Sequence, residues 1–307
     1  MSTPPTAEIR LGDAASQERL KRVVSRIYDL PSFPIVINKL TEVAEDPDSS
    51  SKDLADVMTS DQGLSAKVLK LVNSAFYSFS TPVSSLQHAI TLLGYNTVRS
   101  LALSVSVKNM FRDSAGSFPQ ERFWEHSLAT ALGAKVFAER NKFLLKDEVF
   151  TAGLLHDVGV LLEARYFPEE LDQAIALLHK DDKLTLHAAE EQVVGVHHGL
   201  LGAWLAEKWR LPGPLRQSIL RHHEIEDGYS PIFENLEPEE KQTAAFVTLA
   251  NIIVRGMGYT LLECPSGEPP KINIPKHLHD YLGDGSLDAV IPEIEERFQQ
   301  SKDFLTI

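Results

Sequence analysis

Residues 197–224 read HHGLLGAWLAEKWRLPGPLRQSILRHHE, and this stretch decides the fold class. Its apolar and small residues predict a helix over 198–209, and the chain nowhere shows the strict apolar–polar alternation of a half-buried strand. The same stretch holds three histidines that are candidate metal ligands: His198, His222 and His223. The pattern therefore predicts an all-α fold in which histidines are carried on helices.

Helix start and stop signals continue through the rest of the chain. Asp61 is a suitable N-cap, Ser84 with Gln87 has capping-box spacing, and Gly94 stands where a helix would end. Asn96 is predicted to cap the next helix. Helices are predicted over residues 97–111, 123–140, 146–167, 168–179 and 287–301.

A polar segment at residues 112–120 interrupts the helical periodicity and is the predicted boundary between two helical parts. The predicted organisation is a flexible tail (1–19), an N-terminal helical part (20–115), a helical part with the His/Asp site (116–290) and a C-terminal acidic helix (291–307).

Composition limits the partners and the compartment. The 30 Lys and Arg residues are outnumbered by 43 Asp and Glu residues, so the net charge is −13. This charge disfavours nucleic acid and anionic membranes as partners. No apolar run approaches the ~20 residues that span a bilayer, and residues 1–20 lack signal-peptide features. Cys264 is the single cysteine, which fits a reducing compartment. We expect a cytoplasmic protein.

The candidate chemistry lies in six residues of the second half: His126, His156, Asp157, His198, His222 and His223. Five imidazoles and one carboxylate suit iron, zinc or manganese. Each has a simpler interpretation: His126 alone would be a hydrogen-bonded core histidine, and His156 with Asp157 a local contact. The other histidines are predicted to lie on the surface (His179, His187) or to be structural (His88, His197, His277, His279).

The motifs LPSFPIVINKL (30–40), LSAKVLKLVNSAFYS (64–78), AITLLGYNTVRSLALS (89–104) and GLLHDVG (153–159), together with the stretch quoted first, resemble the HDOD proteins. These are bacterial signalling relatives of the HD and HD-GYP metal-dependent phosphohydrolases. The resemblance covers roughly residues 30–258. It implies a multi-helical HD-type fold with an N-terminal helical subdomain.

The resemblance also assigns roles. It makes His126 the first histidine of the HD pattern and His156 with Asp157 its doublet. His198, and His222 with His223, match further histidines of the HD-GYP pattern. Asn251 occupies the place of the family's final metal-binding aspartate. One or two divalent ions (Fe, Mn or Zn) are therefore expected at these seven residues.

The chain also departs from the active relatives. Val160 replaces a lysine that would contact a substrate phosphate, Arg122 stands where some relatives supply a metal-binding glutamate, and residues 226–231 (EDGYSP) keep only part of the HD-GYP signature. Asn251 offers an amide carbonyl in place of a carboxylate. The metal site is thus expected to survive while the substrate machinery is lost.

Two functions follow from the resemblance. The first is a signal-transduction or regulatory module with a retained metal-type site and weak or no hydrolase activity, binding a signalling protein or a nucleotide. The alternative is a metal-dependent phosphohydrolase (phosphodiesterase), with Arg221 or Lys208 contacting the phosphate. No catalytic residue is assigned.

Overall fold

The computed structural model describes residues 14–27, 30, 35–46, 48–74, 77, 79–112, 118–181, 183–228, 233, 235–264, 266–284 and 286–306. Within these ranges the chain forms fifteen α helices and two 3₁₀ helices, and no strand. The predicted all-α fold is confirmed.

The first six helices are α1 (Ala14–Val24), α2 (Ile35–Glu45), α3 (Ser51–Thr59), α4 (Gln62–Val72), α5 (Leu86–Leu93) and α6 (Tyr95–Met110). The next seven are α7 (Gln120–Arg140), α8 (Lys146–Leu155), α9 (Val158–Tyr166), α10 (Pro168–Leu178), α11 (Leu186–Val193), α12 (His198–Lys208) and α13 (Gly213–Asp227). The last two are α14 (Pro238–Gly256) and α15 (Leu287–Ser301), with 3₁₀ helices at Lys276–Tyr281 and Lys302–Thr306.

The helix caps can be compared with the start and stop signals predicted from the sequence. The Asp61 side chain accepts the Leu64 N–H at 2.9 Å, as predicted. The N-cap of α5 is Ser85, whose side chain accepts the His88 N–H at 3.2 Å, so the prediction of Ser84 was wrong by one residue. Gly94 ends α5 with φ of 85°, a conformation that suits glycine, and α6 begins directly after it without an Asn96 cap.

Three predicted boundaries differ from the structure. Helix α1 begins at Ala14, inside the predicted tail 1–19, because Leu20 and Val23 anchor a polar first turn to the core; residues 1–13 lie outside the described part. The helix predicted over 146–167 is interrupted at Asp157, whose φ and ψ are −100° and 14°. The C-terminal unit predicted over 291–307 does not coincide with a helix: α15 spans Leu287–Ser301, as the helix prediction over 287–301 has it, and a 3₁₀ helix (Lys302–Thr306) follows.

The core is one continuous apolar cluster that includes residues from both predicted helical parts. Helices α7, α8, α13 and α14 pack against one another at its centre, with α9 and α12 alongside. Helix α6 of the N-terminal part packs on α8. Most of the predicted boundary segment (113–117) lies outside the described residues, so the division into 20–115 and 116–290 stays a prediction. The central helices are those that carry the candidate site.

Candidate metal centre

The candidate ligands come from four places in the helical core. His126 lies in the first half of α7, His156 and Asp157 occupy the break between α8 and α9, and His198 is the first residue of α12. The paired histidines lie on α13. The exposed fractions of His126, His156, Asp157, His198 and His222 are 1%, 0%, 5%, 1% and 0%, and His223 is half-buried. These side chains are buried polar groups on otherwise apolar helices. Buried polar groups require hydrogen-bonding or metal partners.

The Asp157 carboxylate is the point on which the imidazoles converge. Its Oδ2 lies 3.2 Å from His126 Nε2 and 3.1 Å from His156 Nε2. Its Oδ1 lies 3.3 Å from His198 Nε2 and 3.3 Å from His222 Nε2. Each carboxylate oxygen therefore faces a pair of ring nitrogens. Residues distant in sequence meet here because four helices end at or cross this point.

The opposite ring nitrogens fix the tautomers. Each Nδ1 faces a backbone carbonyl: Tyr259 for His126 (2.8 Å), Gly153 for His156 (2.7 Å) and Ile219 for His222 (3.0 Å). A carbonyl can only accept, so Nδ1 carries the proton in these three rings. In its neutral form each of these rings offers an unprotonated Nε2 to a metal ion, and in the metal-free protein a second proton on Nε2 can instead be donated to Asp157. Donation from Nδ1 to an outer partner is also the arrangement of metal-ligating histidines.

The contacts between Nε2 atoms indicate a cation. His126 Nε2 and His156 Nε2 are 3.3 Å apart, and His198 Nε2 and His223 Nε2 are 2.8 Å apart. Facing lone pairs repel one another and the carboxylate unless a proton or a metal ion lies between them. Ligands at about 2.0–2.2 Å from a tetrahedral ion lie roughly 3.3 Å from each other. The spacings of 3.1–3.3 Å around Asp157 fit that requirement.

The donors fall into two groups that share Asp157. One contains His126, His156 and Asp157, and the other contains Asp157, His198, His222 and His223. Burial opposes ionisation of Asp157, but the histidine charges and hydrogen bonds outweigh it and hold the pKa of this carboxyl well below its usual value. An ionised carboxylate with one oxygen toward each group can bind two ions or one.

His198 has a different second partner from the other three rings. Its Nδ1 lies 2.6 Å from Glu190 Oε2, and its backbone N–H donates to the same oxygen at 2.9 Å. Burial lowers the pKa of His198, but the carboxylates of Glu190 and Asp157 outweigh it and raise the pKa to about 10. The metal-free protein thus holds a proton on His198, which a metal ion would displace.

Two glycines allow the helices to approach closely enough to build the centre. A Cβ atom on Gly159 would lie 1.9 Å from the carbonyl oxygen of His198. A Cβ atom on Gly153 would lie 2.7 Å from Cα of Ala131, about one turn beyond His126. Only glycine fits at these two crossings. The glycine of the HDVG motif therefore places His198 against Asp157.

Asn251 and Val160, the positions at which the resemblance predicts charged groups in active relatives, are both buried. Asn251 lies on α14, which packs against α7 and α13, and it is 2% exposed. Its Oδ1 has no hydrogen-bond partner among the described residues, so an acceptor oxygen is free to bind a cation. Val160 is 0% exposed. A side chain at position 160 therefore points into the core rather than into a substrate pocket.

The two residues predicted to contact a phosphate are poorly placed. Arg221 is buried and donates to Gln217 at 2.8 Å and to Glu224 at 2.7 Å. Lys208 ends the helix that His198 begins, so the two lie about 15 Å apart along its axis. The guanidinium is already paired and the ammonium is out of reach, which argues against both assignments.

Sequence reasoning missed three residues around the centre. His187, predicted to lie on the surface, stacks on His223 with ring centroids 4.2 Å apart, and its side chain is 18% exposed. Glu190 and Glu163 are both fully buried. Glu163 could have been identified from the sequence, because it is an acidic residue within the otherwise apolar sequence VGVLLEARY. His179 and His88 are exposed, as predicted for His179.

A model of the HDOD domain family matches residues 30–225. The chain belongs to the HDOD domain family.

Three solved structures share the fold. An HDOD domain protein of unknown function from Geobacter sulfurreducens is 26% identical, with a TM-score of 0.74 over 97% of this chain and 99% of that one. A presumed phosphohydrolase from Shewanella amazonensis SB2B is 23% identical, with a TM-score of 0.70 over 96% and 98%. A presumed signal transduction protein from Marinobacter aquaeolei VT8 is 20% identical, with a TM-score of 0.73 over 97% and 66%.

The chain is also similar to an uncharacterized protein of Treponema pallidum (strain Nichols), with 25% identity over 263 residues. The match covers 85% of this chain and 47% of that protein, so the chain spans about half the length of this curated relative. None of the described helices combines the length and the hydropathy needed to cross a bilayer.

Proposed function

We propose that this chain is a regulatory HDOD module that binds one or two divalent metal ions at Asp157 and has weak or no hydrolase activity. The observation that carries the proposal is the convergence of four Nε2 atoms on the two oxygens of Asp157 at 3.1–3.3 Å. His126, His156, Asp157, His198, His222 and His223 would hold the metal, with Asn251 Oδ1 as a neutral donor. The ion would supply a fixed positive charge at the centre of the fold.

Burial of the centre favours regulation over catalysis. All members except His223 are at most 5% exposed in the part of the chain that the structure describes, which leaves little ligand surface in contact with solvent. The two positions expected to bear on a substrate phosphate do not supply a free cation, because Val160 is enclosed and Arg221 is already paired. Electrostatic stabilisation is usually the largest catalytic term. A bound metal would instead hold four helices in place. Whether the site is occupied would then affect the conformation of the outer surface that a partner contacts.

The second candidate is a metal-dependent phosphohydrolase acting on a phosphodiester. Retention of the group His198, His222 and His223 beside the group around His126 favours it, because two adjacent ions are the arrangement that activates water and stabilises phosphoryl oxygens. The similarity in fold to a presumed phosphohydrolase supports the same reading.

The remaining parts of the proposal concern the metal, partner and compartment. The donor set suits iron, manganese or zinc. A signalling protein or a nucleotide is the proposed partner, since the acidic surface disfavours nucleic acid. The cytoplasm is the proposed location, because the single cysteine fits a reducing compartment.

The experiment measures metal content and hydrolysis on one preparation. The protein is purified without oxygen, its iron, manganese and zinc are determined, and it is assayed against a cyclic dinucleotide and a generic phosphodiester. We expect bound metal and near-background turnover. Robust turnover by the wild type that is lost in His156→Ala would overturn the regulatory proposal and favour the hydrolase.

A further inference from the structure

A small cavity lies between the N-terminal helices and the helices that carry the metal centre, apart from the candidate ligands. Its volume is about 110 Å³, and it is bounded by α2, α6, α8 and the first turn of α13 with the residues before it. Five of its lining residues are buried and aliphatic: Ile37, Leu40, Leu103, Leu211 and Leu215. An apolar cavity of ~150 Å³ holds a benzene molecule, so this one has room for a branched aliphatic group rather than an aromatic side chain.

Arg99 and Glu148 place two opposite charges on the wall of this cavity. Arg99 is half-buried, and Glu148 is 9% exposed. Arg99 Nη2 lies 3.7 Å from Glu148 Oε1, which is beyond hydrogen-bond distance. Neither side chain forms a hydrogen bond with another residue that the structure describes. The guanidinium donors and the carboxylate oxygens are therefore available to a ligand in the cavity.

The negative charge of Glu148 is only partly compensated by its surroundings. Burial raises the pKa of this carboxyl group, and a backbone N–H and the charge of Arg99 oppose that effect only in part. The charges of Asp147 and Glu239 act in the same direction as burial. A cationic group beside Glu148 would offset this cost, and a carboxylate beside Arg99 would use its planar pair of donors. The wall thus favours a ligand that carries both charges close together, next to an apolar group.

We propose that this cavity binds a small apolar α-amino acid such as leucine. The ammonium group pairs with Glu148, the carboxylate pairs with Arg99, and the side chain lies among the aliphatic residues. A carboxylic acid alone would bring its charge near that of Glu148, and an amine alone would bring its charge near that of Arg99. Only the zwitterion satisfies both. The site differs from the metal centre in position and in chemistry, and binding of the amino acid does not require a metal ion.

An alternative is that Arg99 and Glu148 form a structural ion pair beside a packing defect. Glu148 lies in the first turn of α8, where the helix dipole favours an acidic side chain. A partly exposed ion pair contributes little stability, however, and an empty cavity between apolar side chains costs stability. The two views differ in what the charges do, because a structural pair would not distinguish among ligands that share the same apolar group.

The first test is calorimetric titration of the full chain with leucine, isocaproate, isoamylamine and glycine. Metal is removed beforehand, because amino acids chelate divalent ions. Isocaproate lacks the ammonium group of leucine, isoamylamine lacks the carboxylate, and glycine lacks the apolar side chain. We expect leucine to bind and each of the other three to bind at least about tenfold more weakly. Absence of leucine binding at millimolar concentrations, or equal binding by either analogue, would overturn the proposal.

The second test separates the charges from the apolar volume. Arg99→Met and Glu148→Gln each remove one charge at similar size and should weaken leucine binding at least about tenfold. The control Arg19→Met, which removes an exposed arginine on α1, should leave the affinity within about twofold. Ser100→Leu adds bulk at the cavity wall and should abolish binding. An unchanged affinity in Arg99→Met or in Glu148→Gln would contradict the site, and these two variants decide if Ser100→Leu does not fold.

A consequence for regulation rests on the proposed function. Leu215 at the cavity and His222 at the metal centre lie seven residues apart on α13, so about two turns separate them on one face of the helix. We expect leucine to change the Mn²⁺ affinity of the wild type by about fivefold or more, and not that of Glu148→Gln. Titration with Mn²⁺ in the presence and absence of leucine measures this effect. An unchanged Mn²⁺ affinity would contradict the coupling and leave the leucine site standing, whereas a wild type that binds leucine but no Mn²⁺ would defeat the proposed function alone.

Discussion

Gly159 packs against the backbone of His198 so closely that a Cβ atom there would lie 1.9 Å from the His198 carbonyl oxygen and 2.8 Å from the amide nitrogen of Gly202. The contact joins α9 to α12 two residues after Asp157. The obstructing atoms are backbone, which cannot move aside as a flexible side chain can. The distance between Asp157 and His198 is thus set by the absence of a side chain at position 159.

We therefore expect Gly159→Ala to separate α9 from α12 and to withdraw His198 from Asp157. Overpacking of this kind costs on the order of 3 kcal/mol. Metal affinity should fall together with stability, because His198 is a proposed ligand. Urea denaturation and a metal titration measure the two effects.

The matched control is Gly63→Ala on α4. A Cβ atom there meets nothing closer than Asp61 Oδ1 at 3.4 Å, so stability should change by less than about 1 kcal/mol. A Gly159→Ala variant as stable and as metal-binding as Gly63→Ala would show that the crossing does not position His198.

Asn251→Asp should strengthen metal binding. At an effective dielectric of ~20, two unit charges ~4 Å apart interact by on the order of 4 kcal/mol, so an added carboxylate beside a dication should raise affinity at least about tenfold. The metal-free variant should be less stable than the wild type, because the new charge is buried. Calorimetric titration of wild type, Asn251→Asp and Asn251→Leu provides the comparison.

An unchanged affinity in Asn251→Asp would place Asn251 outside the metal centre. Val160→Lys is not expected to supply a phosphate-binding cation, since Val160 is fully enclosed. A lysine there would bury an ammonium group, at a cost that lowers stability or removes its charge.

The titration of Lys108 should make the free energy of unfolding increase as the pH rises from about 8 to 10.5. Its Nζ donates to the carbonyls of Phe304 (2.6 Å) and Leu305 (2.7 Å). Burial, together with the charges of Lys67, Arg112 and Lys70, lowers its pKa to about 8 from 10.5. The folded protein thus holds this proton less tightly than the unfolded chain. Below pH 8 the folded state bears the cost of the ammonium, and this cost disappears as the pH rises from about 8 to 10.5.

The measurement is the free energy of unfolding of wild type and Lys108→Met between pH 7 and 10.5, with metal removed. The difference, wild type minus variant, should increase across the window from about 8 to 10.5. A difference that stays flat or declines would show that the folded protein does not depress the pKa of Lys108.

The helices and the candidate ligands could be predicted from sequence because both depend on local signals. Asp61 caps its helix as expected, and the spaced histidines and the HD doublet identified residues that the fold brings together. His187 could not be found in this way, because its partner His223 is distant in sequence. Lys208 was considered as a phosphate contact, but the length of α12 places it about 15 Å from His198 along the helix axis.

The central claim is that Asp157 and the histidines around it bind divalent metal. The most direct measurement is calorimetric titration of metal-free wild type and Asp157→Asn with Mn²⁺ or Zn²⁺. The account predicts one or two bound ions per chain in the wild type and at least about a hundredfold weaker binding in Asp157→Asn, because the shared carboxylate loses its charge. Wild-type binding that is absent, or no tighter than that of Asp157→Asn, would contradict it.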